Sequence, residues 1–129
     1  DLLVLTHDHY DHLDYPSINK LHNKTKRIVT SLGVSAHLET WGVKNGKITE
    51  LDWWESHEIN DGIKITATPS RHFSGRTIKR AQTLWSSFVL EIFGLRIFFG
   101  GDSGYDGSFK KIGNKFGPFD LALLECGQY

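Results

Sequence analysis

At 129 residues, with 15 basic side chains balancing 15 acidic ones, the chain has the length for one hydrophobic core and no charge excess that would favour nucleic acid. Its single cysteine, Cys126, excludes an intrachain disulfide and the cysteine-rich secreted class, so a reducing, cytoplasmic location is expected. No apolar run approaches the roughly 20 residues needed to span a bilayer, and no basic-then-apolar signal segment opens the chain.

The chain begins inside a strand-like run and contains no methionine, so it is expected to be a piece of a longer protein. Leu2 to Leu5 is continuous and apolar, which predicts a strand buried on both faces, with Thr6 to His12 (THDHYDH) as its exit loop. A helix follows: Pro16 suits a first turn, and Ile18, Leu21 and His22 mark one face. Asp14 fits either as the N-cap of that helix or as an outer partner of a metal-binding imidazole. Arg27 to Thr30 is strand-like, and Val34, His37, Leu38 and Trp41 fall at the spacing of an amphipathic helix that Gly42 ends. His37 is expected to be a core histidine. Lys47 to Leu51 leads to a further strand and to Trp53 and Trp54, read as core or surface-lid aromatics.

Asp61-Gly62 is a turn signal between HEIN and IKITATPS and predicts a hairpin. Arg71 to Gln82 is polar and carries no periodic pattern. Trp85 to Phe93 and Arg96 to Phe99 predict two strands joined across Gly94. Phe109, Ile112 and Phe116 share a helical face, Gly117-Pro118 is a stop, and Leu121 to Leu124 is a final strand that would bury Cys126 beside it as a structural thiol. Strands alternate with helices throughout, which predicts an α/β layered architecture in a single domain over residues 1–129. The basic clusters Lys24 to Arg27 and Lys110 to Lys111 read as solvated faces.

Three of the apolar strands end in candidate ligands: Leu2 to Leu5 in THDHYDH, Ile63 to Thr68 in PSRH, and Arg96 to Phe99 in GGDSG. Groups placed just past strand ends can converge at one rim of a sheet above a dry scaffold. A polar loop with no ligand role would leave so many ionisable groups close together near a core, which is costly unless a cation organises them. Two geometries are open for the first cluster. An extended loop points His7, His9 and Asp11 one way and His12 another. A turn gives His7 and His9 to one ion and Asp11 and His12 to a second. His72 can then complete the first set, and Asp102 can bridge both with its two oxygens, while Gly100-Gly101 lets backbone pass close by. His22, His37 and His57 are read as non-ligands. Arg71 and Arg76 flank His72 and are read as exposed loop residues or as groups that meet an anionic substrate.

This pattern resembles the metallo-β-lactamase superfamily, whose H-x-H-x-D-H motif is matched by His7, His9, Asp11 and His12, and whose later His and Asp are matched by His72 and Asp102. It is similar in particular to the family of N-acylphosphatidylethanolamine-hydrolysing phospholipase D and its bacterial relatives, in the stretches THDHYDHLDY, ELDWWE, TPSRHFSGR, GGDSGY and KFGPFDLALLECGQY. The resemblance runs over essentially the whole chain. It implies the αβ/βα sandwich fold, a two-zinc centre and hydrolytic activity. It also implies flanks on both sides and one further metal-binding histidine beyond Tyr129, so that only the central part of the fold is expected here.

The expected function is therefore metal-dependent hydrolysis by a metal-bound hydroxide, with Asp11, His12 and Asp102 nearest the chemistry and no general acid assigned. Zinc is favoured, and manganese or iron also suits the carboxylate content. The expected substrate is a phosphodiester such as a phospholipid, met with at most peripheral membrane contact. A lactonase or other carboxylic ester hydrolase is the alternative, and a non-catalytic metal-binding module is the reading from another class.

Overall fold

The computed structural model describes residues 1–126, and Gly127, Gln128 and Tyr129, which end the family-like stretch KFGPFDLALLECGQY, lie outside the described residues. The chain divides into two compact units, Asp1–Leu51 with Phe73–Trp85 and Asp52–His72 with Ser86–Tyr129.

In the first unit, β1 (Leu2–Leu5), β2 (Arg27–Ser31) and β3 (Ile48–Leu51) form a parallel sheet in the order β1-β2-β3. Parallel neighbours need crossovers, and helices α1 (Tyr15–Leu21) and α2 (Ser35–Thr40) lie on them. α1 starts where expected: Asp14 is its N-cap, accepting from the Ser17 N–H at 2.9 Å and from the Ser17 hydroxyl at 2.6 Å, and Pro16 sits in the first turn. Those two bonds, the hydroxyl foremost, hold the Asp14 carboxyl below its ordinary pKa. Ile18 is buried, whereas Leu21 is exposed, so the apolar face of α1 is narrower than its sequence suggests.

The core of this unit is Leu5, Leu13, Ile18, Ile28, Val34, Leu38 and Val43. Each fully buried aliphatic of this kind contributes about 1.5–3 kcal/mol. β1 lies at an edge of the described sheet, and only Leu5 of its four residues is fully buried, which corrects the expectation of a strand covered on both faces. The polar stretch after His72 holds a small hairpin that the sequence pattern missed, β6 (Gly75–Arg76) and β7 (Lys79–Arg80).

In the second unit, five strands run in the order β10 (Leu121–Leu123), β9 (Leu95–Phe99), β8 (Ser87–Ile92), β5 (Ile63–Thr68) and β4 (Ser56–Asn60). β4 (Ser56–Asn60) and β5 (Ile63–Thr68) form the expected hairpin across Asp61-Gly62, and β8 (Ser87–Ile92) and β9 (Leu95–Phe99) form the second one. Their tips touch. The Phe93 N–H donates to the Gly62 carbonyl at 2.7 Å, and a Cβ added to Gly62, which has φ +97°, would stand 2.8 Å from the Phe93 ring. β5 and β9 are both antiparallel to β8 and so end on the same side of the sheet.

Helix α3 (Gly107–Phe116) is capped by Asp106 and packs Ile112, Phe109 and Phe116 with Val89, Phe98 and Phe119. It carries the chain to β10 (Leu121–Leu123), which pairs parallel with β9. β10 was expected to be buried, but its residues and Cys126 are exposed, because β9 is its only strand neighbour among the described residues and no described layer covers it.

Candidate metal centre

The loop after β1 is a turn rather than an extended segment. The N–H groups of His12 and Leu13 both donate to the His9 carbonyl, at 3.1 and 2.8 Å. Its start is fixed from the neighbouring strand, where Thr30 Oγ1 donates to the Leu5 carbonyl at 3.1 Å and Ser31 Oγ to the Thr6 carbonyl at 2.6 Å. The turn gathers the three imidazoles. His7 is buried, its Nδ1 lies 2.9 Å from Thr6 Oγ1, and its Nε2 lies 2.8 Å from His9 Nδ1. The rings of His7 and His12 stand 4.3 Å apart between centroids, so His12 does not point away as the extended alternative required. Asp11 is exposed, with Oδ2 3.5 Å from His12 Nε2.

This donor set suits a transition metal. With Zn–N bonds of about 2.0–2.1 Å, two ligand nitrogens of a tetrahedral ion are about 3.3 Å apart, so His7 Nε2 and His9 Nδ1 need move only slightly to share one ion. A hydroxyl at Nδ1 of His7 is also the outer partner that fixes which nitrogen of the ring meets the metal.

Asp8, between the two histidines, was assigned no role from the sequence, yet it is 1% exposed. Its Oδ1 accepts from the Gly75 N–H at 2.7 Å, while its Oδ2 has no hydrogen-bond partner among the described residues and lies 3.6 Å from His37 Nε2. His37 is thus a half-buried partner of a carboxylate and not a core histidine. The two border a cavity of about 440 Å³ with Tyr10, Tyr15, Trp41 and Arg76. Arg76 donates from Nη1 to the carbonyls of Asp8, at 2.8 Å, and Leu13, at 2.7 Å. The alternation of side chains in a short segment was the signal that separates Asp8 from His7 and His9. Nothing in the sequence announces the contacts of Arg76.

In the second unit, β5 delivers His72 and β9 delivers Asp102, with His72 Nε2 3.9 Å from Asp102 Oδ2 and both side chains largely shielded. The loops that carry them are zipped together. The Gly104 N–H donates to the Arg71 carbonyl at 3.0 Å, the Arg71 N–H donates to Ser103 Oγ at 3.0 Å, and that hydroxyl donates to the Gly104 carbonyl. Arg71 itself is exposed and donates from Nη1 to the Tyr105 carbonyl. Gly100 serves a closer neighbour than a metal: a Cβ there would stand 3.1 Å from the Leu123 carbonyl oxygen of β10. The strands that deliver the expected ligands therefore belong to two sheets. His22 is the C-cap of α1, and His57 lies on β4.

The family model described as a beta-lactamase superfamily domain matches residues 1–129. An uncharacterized protein of Mycobacterium tuberculosis is 45% identical over 130 residues, covering all of this chain and 35% of the relative. The N-acyl-phosphatidylethanolamine-hydrolyzing phospholipase D 1 of Caenorhabditis elegans is 37% identical over 139 residues, covering all of this chain and 39% of the relative. This chain thus spans little more than a third of the length of these relatives. Igni18, a metallo hydrolase from the archaeon Ignicoccus hospitalis, has the same fold, with a TM-score of 0.81 at 21% identity over all of this chain and 53% of that one. No helix among the described residues is long and apolar enough to cross a membrane.

Proposed function

Because the chain belongs to the metallo-β-lactamase superfamily, we propose that it supplies the central metal-binding part of a hydrolase. The carrying observation is the turn in which His7 Nε2 and His9 Nδ1 face one another at 2.8 Å inside the H-x-H-x-D-H pattern. In this reading His7, His9 and His72 would hold one ion, Asp11 and His12 would hold a second, and Asp102 would be shared between them. When bound, such a pair of ions lowers the pKa of water towards ~7 and offsets the charge that develops on the substrate.

The residues of the chain do the rest. Thr6 orients His7, the turn around the His9 carbonyl orients His12, and the zipper at Arg71 and Gly104 holds His72 beside Asp102. An imidazole and carboxylate set of this kind favours zinc and also accepts manganese or iron. No serine or cysteine nucleophile is required.

The substrate we propose is a phosphodiester, and within that class a phospholipid cleaved as the name of the nematode relative describes. The protein would meet it by peripheral contact with a membrane from the cytoplasmic side. The test is turnover by the full-length protein, reconstituted with zinc, of bis(4-nitrophenyl) phosphate, of an N-acylated phosphatidylethanolamine in mixed micelles, and of a lactone. Phosphodiester turnover that disappears on chelation supports the reading. Lactone turnover alone would replace it with an ester hydrolase. Zinc binding without any turnover would leave a metal-binding module.

A further inference from the structure

Arg76 was read from the sequence as a group that greets an anionic substrate or lies exposed. Its contacts say otherwise. One nitrogen, Nη1, donates to the carbonyls of Asp8 and Leu13, the two residues that bracket His9, Tyr10, Asp11 and His12. The guanidinium carbon lies 4.1 Å from the centre of the Tyr10 ring and 5.1 Å from that of Trp41, so aromatic surface covers the cation. The residue before it is tied to the same loop, through the Gly75 N–H and Asp8 Oδ1.

We propose that Arg76 is a positioning residue of the metal loop, a clasp that fixes the span between Asp8 and Leu13 so that His9, Asp11 and His12 are presented in ligating geometry before any metal arrives. The physical grounds are three. A turn of this length, held by two bonds to one carbonyl, can still open as a unit unless its two ends are tied together. Charge-assisted bonds to carbonyls are about twice as strong as neutral ones. A planar guanidinium can bridge two acceptors and stack on rings at once, which an ammonium does poorly. The proposal rests on the reading of this loop as a metal site, and it assigns Arg76 no contact with substrate or reacting atoms.

The test uses the full-length protein and its Arg76→Ala, Arg76→Lys and Asp8→Asn variants. Zinc affinity is measured by competition with a chromophoric chelator, the cobalt-substituted proteins are compared by visible absorption, and the melting temperature of each metal-free protein is recorded. The expected result is a 10–100-fold loss of zinc affinity in Arg76→Ala, the range typical of groups that orient metal ligands, with a changed cobalt spectrum. Arg76→Lys should recover part of that affinity, and Asp8→Asn should lose less, since its amide can still accept from Gly75. A merely structural role would lower the melting temperature and leave the affinity and spectrum of the folded protein alone. If Arg76→Ala does not fold, Arg76→Lys and Asp8→Asn decide the matter by the same readouts. Unchanged zinc affinity and spectrum in the folded variants would overturn the proposal. A wild-type protein that binds no zinc would overturn the metal reading itself, and this proposal with it.

Discussion

The histidine turn after β1 and the pair His72 and Asp102 offer the same kinds of ligand but are secured in opposite ways. The turn takes three imidazoles from six consecutive residues, and its geometry comes from its own backbone and Thr6, with ties from Thr30 and Ser31 of β2 and from Gly75 and Arg76 of β6. His72 and Asp102 stand far apart in sequence, and they meet because β5 and β9 end on the same side of one sheet and their loops are bonded to each other. A local set tolerates motion of the scaffold, whereas a set built from distant strands depends on strand register being right. The turn should therefore be the primary seat of affinity, and the strand-end pair should be the part most sensitive to the sheet.

The largest effect should come from the turn. His9→Ala is expected to weaken zinc binding by more than the roughly 10–100-fold that changes in outer partners cost, and by more than His72→Ala, as measured by chelator competition. The reverse order would break the comparison. Next in size, Asp102→Ala is expected to reduce the zinc content of the full-length protein at both positions, and Asp11→Ala at one, as elemental analysis of each purified variant would show. Loss of both ions from Asp11→Ala with none lost from Asp102→Ala would mean that the ligands are divided otherwise.

A smaller effect is expected from Ser103→Ala. It leaves the Arg71 N–H without its acceptor and should cost about 1 kcal/mol of stability, read from thermal unfolding, with His72 and Asp102 loosened and the histidine turn untouched. Asp14→Ala should do least: α1 loses its cap, the melting temperature falls by less than for Ser103→Ala, and zinc affinity stays as it was. A fall in zinc affinity there would restore Asp14 as an outer partner of an imidazole.

The same contrast governs what could be read from the sequence. H-x-H-x-D-H was legible because its candidate ligands are neighbours in the chain, and the strands before the three candidate segments were legible because apolar runs and turn residues mark them. That the loop is a turn was not legible, since both geometries satisfy its spacing and the choice is made by donors on β2 and β6. The hairpin from Gly75 to Arg80 was invisible because two-residue strands have no period to detect. Leu121 to Leu124 looked like buried sequence, but burial depends on what covers a strand, and these leucines are about half exposed, at 48% for Leu121, 49% for Leu123 and 52% for Leu124. His37 looked like core because its helical position faces inward, and only the fold reveals the carboxylate of Asp8 in its path.

The touching hairpin tips have a practical consequence. Gly62 and Phe93 belong to different turns, yet the carbonyl of one is bonded to the amide of the other, and the Phe93 ring fills the space where a side chain on Gly62 would go. For anyone recombining this sequence with a relative, the two tips form one inheritance unit. A crossover that takes the first turn from one parent and the second from another can put a side chain against that ring, so chimaeras should exchange Asp61-Gly62 and Phe93-Gly94 together or keep both.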